Sequence, residues 1–247
     1  MLQGKVAIIT GAAAGIGYHM AKAFIQNGAA VVIADINEEG AKKAAEEFKS
    51  SGGRAIGLLA NVSDVDDCKR IVDTALSEFG RLDTLINNAG LPSQYDAGSD
   101  LETWDLGIEQ TLSSVHRMSQ AALEQLLAHK GSIINVCSVS GNTNGANTPW
   151  YCSAKAGVVG LTKQQAFTYG RKGLRSNSMC LGFINTARTQ FLKDRPAMAK
   201  GLEARVPLGR MAEPEEVAPG AVFLASDGAS YVNGHMLIID GGLSVNA

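Results

Sequence analysis

The sequence predicts a single α/β domain, residues 1–247, built on a doubly wound sheet of about seven parallel strands flanked by helices. Three observations predict it. Short runs that are apolar almost throughout alternate with longer helix-like segments. A glycine-rich turn joins the first run to the first helix. No linker, repeat or low-complexity tract interrupts the alternation. Near-continuous hydrophobicity is the pattern of strands buried on both faces, and parallel strands need a returning helix between them.

The strands are expected at 6–10, 30–36, 55–62, 82–89, 131–138, 174–181 and 235–240. Helices are expected at 16–27, 38–51, 64–79, 101–129, 149–171 and 214–225. Ser63, with Asp66 three residues on, reads as the N-terminal cap of the third helix. Pro149 and Pro214 stand where first helical positions fall, because a fixed φ and a missing N–H cost little there.

Composition narrows the function classes. With 45% hydrophobic residues and a formal charge of −2, the chain can bury a full core and offers no basic footprint for nucleic acid or an anionic membrane. The start, M-L-Q-G-K-V-A-I-I-T-G, carries no signal-peptide pattern, and no apolar run reaches membrane-spanning length. The four cysteines form no C-x-x-C pair, and Cys137 and Cys180 fall in strand-like runs where buried reduced thiols are ordinary. The four histidines show no metal-ligand spacing. The expectation is a cytoplasmic protein that uses no metal.

Chemistry concentrates in the stretch from Ser138 to Lys155. Tyr151 and Lys155 stand four residues apart, so a helix starting near Pro149 projects both from one face. A free tyrosine loses its proton only near pH ~10, so a tyrosine base needs a neighbour that favours the phenolate. A lysine ammonium one turn away is such a neighbour. Ser138 ends a strand-like run, where a parallel strand delivers its last residue to a crevice and a hydroxyl can donate to a substrate oxygen.

The first strand leads into Gly11, Gly15 and Gly17, spaced G-x-x-x-G-x-G. Glycines let the backbone approach a pyrophosphate, and the following helix N-terminus supplies N–H groups and positive dipole. Asp35 closes the second strand, where an acid accepts from adenosine ribose hydroxyls and repels a 2′-phosphate. Neither Ala14 nor Ile36 supplies a compensating cation, so NAD(H) is expected over NADP(H).

Together, T-G-x-x-x-G-I-G, Asp35, N-N-A-G at 87–90, Ser138 and Tyr151-x-x-x-Lys155 resemble the short-chain dehydrogenase/reductase family in its short, single-domain, Rossmann-like branch. The resemblance covers the whole chain, including P-L-G-R-M-A-E-P-E-E-V-A and V-N-G-H-M-L-I-I-D-G-G near the end. It implies that Ile16 and Ile36 join the cofactor contacts and that Asn61 and Val62 bracket the adenine, Asn61 standing where Asp is more frequent. It implies that Asn88, Ala89 and Gly90 lie along the cofactor. Tyr151 is the implied general acid/base, Lys155 holds the nicotinamide ribose, and Ser138 positions the substrate oxygen. Gly182, Ile184 and Thr186 resemble the segment that fixes the carboxamide, and 186–205 the substrate lid.

Two departures stand out. Counting from Trp104-Asp105, the family's relay asparagine is replaced by Thr111, and its proline before the glycine is replaced by Leu181. Thr111 can hydrogen-bond but is shorter, and Leu181 removes a rigid backbone constraint. The pocket wall is expected from Leu91, Gln94, Tyr95, Ser140, Asn142, Thr143, Asn144, Trp150 and Phe183, which suits a small or medium polar secondary alcohol or ketone. Competing readings are a 3-oxoacyl-thioester reductase, docking its carrier on Arg117, Lys130, Arg171 and Lys172, and an NAD-binding regulator without turnover. Small residues on two helices (Ala121, Ala122, Ala156, Gly157, Gly160) suit close contact between subunits, and the resemblance implies a homotetramer.

Overall fold

The computed structural model describes residues 1–91, 100–141 and 148–246. Its centre is a seven-stranded, all-parallel sheet: β1 (Val6–Thr10), β2 (Ala30–Asp35), β3 (Arg54–Leu59), β4 (Thr84–Asn87), β5 (Ser132–Ser138), β6 (Arg175–Leu181) and β7 (Met236–Ile239). The spatial order is β3-β2-β1-β4-β5-β6-β7, so the winding reverses between β1 and β4. Crevices of such sheets open at that reversal, beyond the carboxyl ends of the strands.

β1 shows why the strands read as unbroken apolar runs. Ala7 and Ile9 enter one core with Met20, Phe24 and Phe48, while Val6 and Ile8 enter the opposite core with Ile71, Met118 and Leu126. Alternate residues thus reach two buried layers, and neither face tolerates polarity. The first layer is covered by α1 (Gly15–Gln26), α2 (Glu38–Ser50) and α8 (Pro214–Ala225). The second is covered by α3 (Val65–Phe79) and α5 (Ser114–Ala128). α4 (Leu101–Ile108) leads into α5, α6 (Pro149–Tyr169) follows β5, and α7 (Pro196–Glu203) lies within the expected lid.

Several boundaries differ from the sequence expectation. Ile36, Asn61, Val62, Asn88 and Ala89 lie beyond their strands, not inside them. Their apolar or amide character continues the run, but the backbone has left the ladder to line a groove. The cap of α3 is Asp64, not Ser63: its carboxylate accepts from the Asp66 and Asp67 N–H groups. A carboxylate there also meets the positive helix end, which a hydroxyl does not. The Ser63 hydroxyl is instead buried with no hydrogen-bond partner among the described residues.

The expected helix over 101–129 is interrupted by a π-helical turn, Glu109–Ser113, between α4 and α5. Such turns insert one residue and re-aim side chains, often at functional sites. This one carries Thr111, fully buried. Leu181 is equally well accounted for. It pairs in register with Ser138 on one side and Ile239 on the other, and is buried. Leucine brings the N–H that proline lacks, so the end of β6 is fixed by the sheet where the family uses a rigid ring.

Beneath the crevice, a buried amide network ties three strands to α5 and α6. Asn87 Nδ2 donates to Asn135 Oδ1 at 2.9 Å and Ser119 Oγ at 3.1 Å. Asn135 Nδ2 donates to Thr162 Oγ1 at 2.9 Å, and Ser176 Oγ bonds Gln165 Oε1 at 2.8 Å. Paired polar groups of this kind fix strand register where apolar packing alone would tolerate small slips.

Candidate active site

A groove of about 420 Å³ runs across the carboxyl ends of β1, β2, β3 and β4. That is the volume range of small-molecule sites. Its lining includes Gly11, Gly15, Ile16, Asp35, Ile36, Asn61, Val62, Asn88, Ala89, Gly90 and Thr186, all expected there from the sequence. Gln110, Asn37 and Ala187 also line it and were not foreseen. Gln110 belongs to the π turn, whose position the sequence did not reveal.

The glycine turn is built for close approach. Gly11 and Gly15 hold φ of +63° and +58°, in the left-handed region that side chains rarely enter. A Cβ on Gly17 would stand 2.4 Å from the Gly11 carbonyl oxygen and 2.7 Å from Asn88 Nδ2. Gly17 therefore does not line the groove; it lets α1 start tight against the turn. Asn88 locks the turn to β4: its Nδ2 donates to the Thr10 and Gly11 carbonyls at 3.0 and 2.9 Å. Thr10 Oγ1 accepts from the Asn88 and Ala89 N–H groups at 3.0 and 3.1 Å. Thr10 was legible within the motif, though not as a positioning residue.

Asp35 is held from both sides. Its Oδ2 accepts from Ala13 N–H at 3.0 Å and its Oδ1 from Asn37 N–H at 2.9 Å. It is the one charged residue lining the groove among the described residues. Ile36 beside it is 74% exposed. An exposed β-branched residue next to a fixed carboxylate is a natural platform for a flat ring whose ribose meets the acid. Asn61 Oδ1 accepts from Ser63 N–H at 3.0 Å, leaving one acceptor position open.

The chemistry-bearing residues meet at β5 and α6. Pro149 starts α6, as expected, and Tyr151 and Lys155 follow on its first turns. The Tyr151 ring packs edge-on against Trp150, centroids 5.6 Å apart. Trp150 is itself buried flat on Gly107 of α4, where a Cβ would stand 2.2 Å from the indole. Lys155 is buried, donates to the Val136 carbonyl at 2.9 Å, and places its Nζ 5.8 Å from the Tyr151 ring centroid. Ser138, two residues beyond Val136, accepts from Ser140 N–H at 3.2 Å, so its own proton remains available to a ligand oxygen.

Thr111 completes the cluster from the third side. A Cβ built on Gly90 would stand 3.8 Å from Thr111 Oγ1 and 4.0 Å from Lys155 Nζ. Thr111 Oγ1 is buried with no hydrogen-bond partner among the described residues. The sequence brought Gly182 and Ile184 to the same place, but neither lines the groove. Ile184 is buried and bridges Ala212, and Gly182 packs its Cα against Asp240. They set the course of the chain toward Thr186. Gln94, Tyr95, Asn142, Thr143 and Asn144 lie outside the described residues.

The basic residues considered for carrier docking do not gather at this mouth. Lys130, Arg171 and Lys172 precede β5 and β6, at the amino-terminal ends of the strands, opposite the end that carries the site. Arg117 is engaged with Glu109 at 2.6 Å. Among the described residues, no group of three or more His, Cys, Asp or Glu is placed to hold a metal, and no helix is long and apolar enough to cross a membrane.

Comparison with known proteins places this geometry. A family model described as enoyl-(acyl carrier protein) reductase matches residues 11–244. A cis-4-hydroxycyclohexanecarboxylate dehydrogenase of Sinomonas cyclohexanicum is 41% identical over 242 residues, covering 96% of each chain. A 3-oxoacyl-(acyl-carrier-protein) reductase of Thermotoga maritima is 39% identical over 99% of each chain. A cyclohexanol dehydrogenase of an Acinetobacter species is 39% identical, covering 96% of this chain and 94% of its own. The solved structure of gox2181 superposes with a TM-score of 0.94 at 30% identity, covering 99% of this chain and 97% of that one. With a doubly wound sheet, a glycine turn at the strand-order reversal and relatives of this kind along its full length, the chain is an oxidoreductase of the short-chain dehydrogenase/reductase family.

Proposed function

We propose that the protein transfers hydride between NAD(H) and a secondary alcohol or its ketone, with Ser138, Tyr151 and Lys155 as the working residues. The observation that carries this reading is the convergence of these three side chains from β5 and α6 beside a groove whose one charged lining residue among the described residues is Asp35. Gly11, Gly15, Asp35, Asn61, Asn88, Gly90 and Thr186 would hold the dinucleotide, and the left-handed backbone at Gly11 and Gly15 suits a turn that a pyrophosphate approaches closely. When bound, NAD+ supplies the hydride acceptor.

In the oxidative direction, Tyr151 as phenolate takes the substrate hydroxyl proton while Ser138 donates to the same oxygen. Lys155 provides the positive charge that favours the phenolate and carries the proton onward. The Val136 carbonyl holds its ammonium in place. Beyond Lys155, the proton's route runs past Gly90 to the Thr111 hydroxyl. Thr111→Asn restores the longer amide, and kcat is expected to rise by roughly two- to fivefold or its pH profile to shift, since a positioned proton-transfer group is worth ~10²–10⁴ in all. Unchanged kcat, pH dependence and solvent isotope effect would make Thr111 purely structural.

The cofactor assignment is tested by fluorescence titration. A 2′-phosphate near Asp35 meets a repulsion of up to ~4 kcal/mol per charge pair at an effective dielectric of ~20. NAD(H) is therefore expected to bind at least ~100-fold more tightly than NADP(H), the equivalent of about 3 kcal/mol. Asp35→Asn keeps an oxygen for the Ala13 N–H while removing the charge, and should narrow the gap. Equal dissociation constants in the unaltered protein would sink the assignment.

The substrate class draws support from relatives whose names specify ring alcohols, a cyclohexanol and a 4-hydroxycyclohexanecarboxylate. The Thermotoga relative favours the acyl-thioester reading, but basic residues placed away from the mouth and Asp35 weigh against a carrier-borne substrate with NADPH. A regulator without turnover has no need of the Tyr151–Lys155 pair. The segment 186–205, a 3₁₀ helix (Ala187–Leu192) followed by α7, is the proposed lid, hinged where Thr186 borders the groove. We further assign a homotetramer in a reducing, cytoplasmic compartment. Phe167, 90% exposed on α6, and Tyr231, fully exposed before β7, are large apolar groups suited to subunit contact. Light scattering showing only monomer at micromolar concentration would refute the tetramer.

A further inference from the structure

Two thiols that the proposed chemistry does not use sit directly under it. Cys137 and Cys180 are register partners across the parallel β5–β6 pair, immediately before Ser138 and Leu181, themselves partners. Residues facing each other in register project to the same side of a sheet. Neighbouring strands are about 4.8 Å apart, inside the ~4.4–6.8 Å Cα separation that a disulfide bridges. Both cysteines are reduced and buried. The Cys180 S–H hydrogen-bonds to the Cys137 sulfur, and Cys137 Sγ donates to the Lys155 carbonyl at 3.1 Å.

We infer that Cys137 and Cys180 form a peroxide-sensitive dithiol whose oxidation to a cross-strand disulfide disables the adjacent Ser138–Lys155 site. The chemistry closes with a peroxide as oxidant. The Cys137 thiolate attacks one peroxide oxygen, the O–O bond breaks, and water leaves with the displaced oxygen. The resulting sulfenic acid is then attacked by the Cys180 sulfur, forming the S–S bond and releasing a second water with the Cys180 proton. Two thiols are oxidised by two electrons, and one hydrogen peroxide is reduced to two waters.

The surroundings favour Cys137 as the attacking sulfur. Hydrogen-bond donation from Cys180 and the positive charge of Lys155 draw its thiol below the ordinary range, against the effect of burial. Cys180, donating to that sulfur and buried, is pushed the other way and suits the resolving role. A disulfide formed here is reversed by thiol–disulfide exchange with a small dithiol.

The consequence follows from position. Drawing the two sulfurs into a bond removes the Cys137 contact to the Lys155 carbonyl and pulls the strand ends that present Ser138 and lead to Gly182. A displacement near 1 Å at a catalytic group costs up to ~10²-fold in rate.

The test uses the full-length protein with Cys68 and Cys152 replaced by serine, so that the pair holds its only thiols. After hydrogen peroxide treatment and quenching, intact mass and non-reducing peptide mapping are recorded beside activity relative to the untreated sample. The expected result is a loss of about 2 Da, a peptide linking Cys137 to Cys180, and at least a ~10-fold fall in activity that dithiothreitol reverses. Cys180→Ser should leave only oxygen adducts on Cys137 that dithiothreitol does not fully reverse. Should that variant fail to fold, the mapping on the unaltered pair still decides the question. Oxygen addition without a cross-link overturns the proposal, as does a cross-link that leaves activity intact. The mass and mapping readouts do not depend on the substrate reading. If no substrate turns over, cofactor titration before and after oxidation replaces the activity arm: the strand shift is then expected to weaken cofactor binding, and unchanged binding overturns the link to the site.

Discussion

Tyr151→Phe is expected to lower turnover by ~10²–10⁴-fold or more while NAD+ affinity stays within about twofold. The ring, and its edge-on packing against Trp150, is retained; only the oxygen that takes the proton is lost. Lys155→Ala should behave differently and damage both turnover and cofactor binding. It removes the ammonium near the tyrosine, strips the Val136 carbonyl of its donor and empties a buried position. An unsatisfied buried carbonyl alone costs about 1–3 kcal/mol, so this variant should also melt earlier. Initial rates beside fluorescence titrations separate the two patterns. A Tyr151→Phe enzyme with a tenth or more of normal turnover would exclude Tyr151 as the proton acceptor.

Gly17→Ala should weaken cofactor binding by about 10–100-fold without contacting the cofactor. The added methyl would stand 2.4 Å from the Gly11 carbonyl oxygen and 2.8 Å from the Ala12 Cα, both backbone atoms that cannot swing aside. The turn must move off α1, breaking the Asn88 bonds that position it. Overpacking of this kind costs ~1–3 kcal/mol of stability, and a similar loss in binding is about 10–100-fold in dissociation constant. Gly201→Ala, in α7 with nothing within 4 Å of the new methyl, is the control and should leave binding unchanged. Equal affinities for the two variants would show that the tight turn is not needed.

These expectations rest on features of unequal legibility. The parallel sheet was readable because both faces of strands such as β1 are buried, which leaves no alternation to misread. Tyr151, Lys155 and Ser138 were readable because helix periodicity and a strand end fix their directions with little help from the rest of the fold. Strand ends were less so: Asn61 and Val62 continue an apolar run, and nothing local says that the chain has left the ladder. The π turn at 109–113 was invisible, since a single inserted residue barely changes the apolar spacing of a long helix. It nevertheless decides where Thr111 and Gln110 point. The amide network around Asn135 was hidden for another reason: its partners are distant in sequence, and an asparagine within a strand run carries no sign of what it will meet.

The most direct measurement is a turnover assay following nicotinamide absorbance. It uses NAD+ and NADP+ separately, with cyclohexanol-type and open-chain secondary alcohols, and with a 3-oxoacyl thioester plus NADH or NADPH in the reverse direction. Expected is NADH formation from one or more secondary alcohols, little with NADP+, and at least a ~10²-fold lower rate with the same alcohols in Tyr151→Phe. Turnover confined to the thioester with NADPH, or no turnover with any alcohol by a folded, NAD-binding protein, would contradict it.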